Sequence, residues 1–382
     1  MRKWSRLRIL FFILEIVYIR GMSFSRKRNS PVIGFRELAR TMRILQTGSF
    51  AQGSEVSKFE SELKKSLSHY EHRAVNSGTS ALISALSFYN LKPGDEVIVP
   101  SFTFAATANA VVLAGGVPIF ADIDAETYTI CPGSIESKIS SRTVGIVPVH
   151  LYGLCANMVR IMELAKKFNL FVIEDAAQAH LASLGNVKAG EFGNAACFSF
   201  YPTKNMMSLE GGSVTSENPE LIKHVEKLRN QGMLKRYENE IPGYNFRLTE
   251  IAAGIGRVQL TRLPKLTRLR QRNARLYRQY LKYVSLPQTP KGYVHVFHQF
   301  TIRVDPLIRD GLLTELKSKG ISADVYYPTP VHLLKPFSHN QSRLPVTERM
   351  SRECISLPVG PKYRKKDIRA ISAAVNNYVE GS

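Results

Sequence analysis

Short apolar runs, each bounded by turn residues, recur through the first half of this chain and leave it few folds to choose from. Glu96 to Pro100 (EVIVP), Val117 to Ala121 (VPIFA), Val144 to Val149 (VGIVPV) and Leu170 to Ile173 are such runs. Ala195 to Phe200 and Ser213 to Thr215 follow, and the short Ala74-Val75 precedes them. Helical patterns lie between, at Ala81 to Tyr89, Ala105 to Ala114 and Met158 to Asn169. Runs this short and continuously apolar read as strands buried on both faces. Strands alternating with helices predict an α/β fold around a mostly parallel sheet.

In an open sheet of this kind the ligand crevice lies beyond the carboxyl ends of the strands. The polar residues fall there. His150 ends the third run, Asp175 the fourth, and Phe104 sits in the loop SFTFAAT after the first. Asn76-Ser77-Gly78-Thr79-Ser80 is a small polar loop between strand and helix, an arrangement that points backbone amides at an anion. It is equally a good N-cap, with Thr79 or Ser80 opening an apolar helix. In CFSFYPTKN, Phe198 and Phe200 alternate with Ser199 as a strand end does, and Pro202 stops the strand. Lys204 then lies on a loop just past a buried strand. A lysine beside apolar walls loses solvation, so its pKa falls and its neutral amine becomes a nucleophile toward carbonyls. Taken singly, Asp175 is a helix cap, Phe104 core and Asn245 a turn. Taken together, a lysine, an aspartate, a stacking aromatic and a phosphate cradle describe a pyridoxal phosphate site. That cofactor's aldehyde forms a Schiff base with a lysine, and its pyridine nitrogen stays protonated only opposite a carboxylate.

The remaining stretches set the boundaries. Residues 33–70 read as helix, turn and helix, and Leu221 to Arg229 as a basic helix. Leu260 to Tyr283 reads as a long basic helix connecting two units, broken early by Pro264. The expected division is an extension over 1–22, a large cofactor-binding domain over 23–260, and a connector helix with a small C-terminal α+β domain over 261–382. The four cysteines are widely spaced with no CxxC pair, so neither zinc nor a disulfide framework is signalled, and the setting reads as cytoplasmic.

Net charge is +21, and residues 1–28 hold eight Lys or Arg against Glu15 alone. The apolar stretch Ile9 to Ile19 is too short for a membrane span, which needs about 20 residues. Two readings of this segment stand: a start codon assigned ahead of Met22, or a basic amphipathic membrane anchor. Elsewhere the positive residues are scattered without a nucleic-acid-binding signature, so no nucleic acid partner is expected.

The motifs NSGTSAL, GDEVIVPSFTFAATANAV, PVHLYG, IEDAAQAH, CFSFYPTKN, EGG, GYNFRLTEIAAGIG and YYPTPVHLLKPF occur in this order. From about Arg36 onward the chain thereby resembles the DegT/DnrJ/StrS group of sugar aminotransferases. The resemblance implies the type I aminotransferase fold. It also implies pyridoxal 5′-phosphate as cofactor, and transfer of an amino group, usually from glutamate, to a keto group on a nucleotide-linked sugar. Carried over, Lys204 would hold the cofactor and shuttle the proton, Asp175 would face the pyridine nitrogen, and Gln178 would bond the ring hydroxyl. Phe104 would stack on the ring, and Gly78, Thr79 and Ser199 would hold the phosphate. Asn245 would reach that phosphate from the partner subunit of a homodimer. His150, His180, Glu210, Tyr327 and His332 match family positions expected near the substrate. Relatives that replace the lysine with histidine dehydrate sugars instead, and others are regulatory; Lys204 with Asp175 and Gln178 speaks against both. One departure is Leu181, where the family commonly has glycine, which is expected to reshape the loop from Ser183 to Gly190 near the cofactor.

Overall fold

The computed structural model describes residues 31–338 and 342–382, so the readings of residues 1–22 lie outside it. Seven strands form the central sheet: β1 (Glu71–Val75), β2 (Glu96–Pro100), β3 (Val117–Ala121), β4 (Thr143–Ile146), β5 (Phe171–Asp175), β6 (Ala195–Ser199) and β7 (Gly212–Ser216). Their spatial order is β1-β7-β6-β5-β4-β2-β3. Pairing is parallel from β3 through β6, while β7 runs antiparallel to both β6 and β1. The antiparallel strand therefore leaves the carboxyl ends of β1, β2, β5 and β6 on one edge. There Val75, Ser199 and Gly212 lie side by side in register.

All five residues of β2, β5, β6 and β7 are buried, as strands covered on both faces require. On one face, α3 (Gly78–Ser87) packs Leu82, Ala85 and Leu86 into a core with Val97, Val99, Ile173, Cys197 and Val214. On the other, α1 (Phe35–Thr47) and α2 (Ser54–Ser66) are crossed by the long helix that begins at Glu250. That crossing depends on glycine: a Cβ on Gly254 would come within 2.4 Å of Ile44 Cδ1.

The long helix differs from the sequence expectation. Pro264 does not break it; it runs unbroken over Glu250–Tyr280. The ring of Pro264 is exposed while Leu260, Leu263 and Leu266 are buried, so the missing N–H falls on the solvent side, where a helix tolerates a lost bond best. The helix therefore passes through the 260/261 boundary. Leu260 and Leu263 pack in one core, whereas Ala274 and Tyr277 pack in another with Phe300, Ile302, Leu312, Ile355 and Ile371. The second core covers the antiparallel pair Phe300–Arg303 and Cys354–Leu357. Helix Pro345–Glu353 and strand Cys354–Leu357 carried no clear sequence signal.

The buried Glu250 carboxylate fastens the start of α2. It accepts from Gly53 N at 2.9 Å, Glu55 N at 3.0 Å and Val56 N at 3.0 Å. These donors belong to the unsatisfied first turn of α2. Glu250→Ala would strand them in a buried junction. We expect a loss of roughly 2–3 kcal/mol in denaturant-melt stability, whereas an exposed glutamate such as Glu380 changed to Ala shifts it by less than about 0.5 kcal/mol.

Candidate active site

The carboxyl edge of the sheet opens into a cavity of about 480 Å³, whose walls include Gly78, Thr79, Phe104, Asp175, Gln178, Ser199, Lys204, Glu210 and Tyr327. Each arrives by a local rule. The N-cap of α3 is Ser77, not Thr79 or Ser80. Its hydroxyl accepts from Ser80 N at 3.0 Å, so the helix begins at Gly78 and its first amides face the cavity. Gly78 packs directly on β6, and a Cβ there would lie 2.7 Å from Ser199 Cβ. Hydroxyl and helix terminus thus form one cradle.

Asp175 ends β5 and is almost wholly buried. Its Oδ2 accepts from Thr107 Oγ1 at 2.8 Å, and its Oδ1 from Ala177 N at 3.2 Å. Burial raises its pKa, against the pull of these donors and of Lys204. Gln178 is oriented from both ends: Oε1 accepts from Tyr152 N at 2.8 Å, and Nε2 donates to Tyr327 Oη at 2.9 Å. One Nε2 hydrogen is left to donate into the cavity. Lys204 stands on the turn after β6, where its N–H donates to Tyr201 O at 2.9 Å. Burial pulls its ammonium pKa down to about 8, opposed by Asp175. Phe104 is 66% exposed at the cavity mouth.

Three of the expected histidines do not line the cavity. His150 is fully buried behind Asp175. Its Nδ1 accepts from Ala156 N at 3.0 Å, which fixes the tautomer whose Nε2 donates to Glu174 Oε2 at 2.7 Å. His180 is buried among Phe198 and Phe200. His332 bonds Ser101 Oγ at 2.6 Å through Nδ1. Asn245 does not line the cavity of its own chain either; it is exposed, and its carbonyl accepts from Asn76 Nδ2 at 3.3 Å. The loop after Leu181 is a hairpin, Ser183–Leu184 with Val187–Lys188, paired to Tyr293–Val294 and away from the cavity walls. Leu181 itself has φ of 70°, the left-handed region that glycine adopts freely and leucine rarely does.

The sequence reading missed Tyr152, His298, Gln299 and Tyr326, all in the cavity wall. Tyr326 adjoins Tyr327 in a quoted motif, so proximity was a usable signal. His298 and Gln299 lie within an alternating strand pattern that advertised only packing.

The sequence matches the DegT/DnrJ/EryC1/StrS aminotransferase profile over residues 31–376. The chain belongs to that family. The UDP-N-acetyl-3-dehydro-alpha-D-glucosamine 3-aminotransferase of Acidithiobacillus ferrooxidans is 41% identical over 344 residues, 89% of this chain and 92% of that one. The dTDP-3-amino-3,6-dideoxy-alpha-D-galactopyranose transaminase of Aneurinibacillus thermoaerophilus is 37% identical over 348 residues, covering 90% and 95%. Among solved structures, Streptomyces venezuelae DesV in complex with a ketimine intermediate has a TM-score of 0.87 at 36% identity, covering 90% and 94%. This aminotransferase uses pyridoxal 5′-phosphate. Its residues fit that group: a lysine of lowered pKa and a buried carboxylate share one cavity with a helix terminus that only glycine can bring against Ser199.

A pKa of about 8 at Lys204 makes the neutral amine the minority form below that pH and the dominant form above it. Capture of pyridoxal phosphate by cofactor-free protein, followed by stopped-flow absorbance, should accelerate nearly tenfold per pH unit from about 6 to 7.5 and level off above about 8. Lys204→Ala should abolish the phase; a rate still climbing steeply at pH 9.5 would refute the lowered pKa.

Proposed function

We propose that this aminotransferase moves an amino group from L-glutamate to the 3-keto group of a nucleotide-diphosphate-linked sugar, in amino-sugar biosynthesis, as a cytoplasmic homodimer with shared sites. The observation that carries the reading is the shared cavity of Lys204, Asp175 and the α3 terminus. The sugar and its position are supported by the names of the A. ferrooxidans and A. thermoaerophilus relatives, both of which specify carbon 3.

When bound, the cofactor supplies a carbonyl that takes up amino groups and a ring that stores an electron pair. In the proposed arrangement the amides of Gly78 and Thr79, with the Ser199 hydroxyl, would hold its phosphate. Asp175 would hold a proton on the pyridine nitrogen, with the Thr107 hydroxyl bond orienting the carboxylate. Gln178 would donate to the ring hydroxyl through the hydrogen left over once Tyr327 Oη is satisfied. Phe104 would cover one ring face. Lys204 Nζ, whose lowered pKa gives it a usable neutral fraction near physiological pH, takes the proton from the carbon of the amino donor and, once the second substrate is bound, delivers a proton to the sugar carbon. The scattered basic residues offer partners for the nucleotide diphosphate.

Two features support the homodimer. Phe35, Leu38, Met42 and Leu45 form an exposed apolar stripe on α1, each at least 36% exposed. Asn245 is exposed and does not line its own cavity, and a second copy would give it a phosphate to reach. The cytoplasmic setting is supported by the four free cysteines.

Supplied with L-glutamate and a panel of UDP- and dTDP-linked sugars oxidised at carbon 3 or 4, the loaded protein should aminate a 3-keto member at least about tenfold faster than its 4-keto counterpart. Detection of the amino sugar by mass spectrometry checks this, and no turnover across the panel sinks it. Mixing Lys204→Ala with Asn245→Ala subunits should restore about a quarter of wild-type activity, because half the random pairs contain one intact shared site of two. Activity no greater than the sum of the separate variants rules out shared sites.

A further inference from the structure

A second cavity, of about 320 Å³, lies against the first. Thr203, Lys204, His298, Gln299 and Tyr326 wall both. Arg270 projects into this second lobe from the long helix. Its Nη1 donates to the carbonyls of Phe297 and His298, at 3.3 Å and 3.2 Å. Its Nε is buried and has no hydrogen-bond partner among the described residues. No described carboxylate pairs with it. Asp324, the acid in the same wall, accepts from Val325 N at 3.0 Å and is otherwise exposed.

A guanidinium with a buried Nε that lacks a partner is normally matched by an anion or by a full set of acceptors. Burial draws the Arg270 pKa down to about 10, with only Tyr326 opposing. The Nε–Nη2 edge of the fork, which a carboxylate fits with two parallel bonds, has no acceptor among the described residues. Three other arginines that reach into the core differ. Arg229 is paired with Glu60, Arg257 with Glu55 and Glu62, and Arg262 with Glu37. Arg270 is thus provided with a cavity where those have a carboxylate.

We propose that Arg270 is a carboxylate-recognition residue, and that its lobe receives the side-chain carboxylate of the amino-acid donor while the main cavity is left to the nucleotide sugar. This rests on the transaminase reading above. Both substrates must meet Lys204, and the shared wall of Lys204, His298 and Tyr326 lets each approach it with its bulk in a different lobe. A dicarboxylic amino acid would satisfy the fork, and a neutral one would leave its Nε–Nη2 edge without an anion.

The test uses the pyridoxal phosphate-loaded protein and glutarate, a dicarboxylate with no amine to react. Calorimetric titration should show glutarate binding wild type at least about tenfold more tightly than Arg270→Gln, and more tightly than glutaramate, in which one carboxylate is an amide. Steady-state kinetics should show Arg270→Gln raising KM for L-glutamate about tenfold or more while leaving the sugar KM within about twofold. Equal glutarate affinity in the two proteins overturns the proposal, as does equal loss for both substrates. Should Arg270→Gln fail to fold, the wild-type comparison decides alone: equal binding of glutarate and glutaramate overturns it. A wild type that takes up cofactor but aminates no sugar defeats the transaminase reading instead.

Discussion

The active edge of the sheet hangs on one buried carboxylate that touches neither water nor substrate. Glu174 has no exposed surface, and both its oxygens are fully engaged. Oε1 accepts from Phe192 N and Gly193 N, each at 2.9 Å; Oε2 accepts from Gly190 N at 2.8 Å and from His150. A buried charge with this many donors is stable only if the donors stay where they are. Glu174 thereby ties the loop before β6 to the segment after β4, with β5 between them. Because side chains alternate along a strand, tying Glu174 on one face turns Asp175 to the other, into the cavity. The position of the Asp175 carboxylate follows from the satisfaction of its neighbour.

The same logic governs Lys204. Its neutral amine requires low solvation, but the adjacent Asp175 favours its charged form, and the balance leaves the pKa near physiological pH. Thr107 and Ala177 meet part of the Asp175 charge before Lys204 has to. A site without those donors would lean harder on the lysine and keep it protonated.

Much of this was legible in the sequence because it is local. Strands buried on both faces read as continuous apolar runs, so β2, β3 and β5 were found to within a residue or two. Lys204 and Asp175 stood out because the end of such a run is where an open sheet binds ligands, and both line one cavity. What stayed hidden depends on partners distant in sequence. Nothing near His150 says that Glu174 and Ala156 N use both its ring nitrogens, so it reads as a substrate-facing histidine. Pro264 reads as a helix breaker because its exposure on a helix packed along its other face is a tertiary fact. Leu181 is visible as a departure from glycine, but its left-handed φ belongs to the hairpin that follows. Arg270 is one of many basic residues on a basic helix, and what distinguishes it is its place in the wall of the lobe beside Lys204 with a buried Nε that has no partner among the described residues.

The unbroken helix from Glu250 to Tyr280 has a mechanical consequence. It is built into both cores, so the C-terminal unit is joined to the sheet by a beam instead of a flexible strap. Swinging that unit as a hinged lid would require bending the beam and breaking several backbone hydrogen bonds together. Its one soft joint is Pro264, where a bond is already absent, and Arg270 lies less than two turns beyond it. The connector therefore carries Arg270, with the Phe297 and His298 carbonyls it grips, as part of the same stiff element that holds the two cores together.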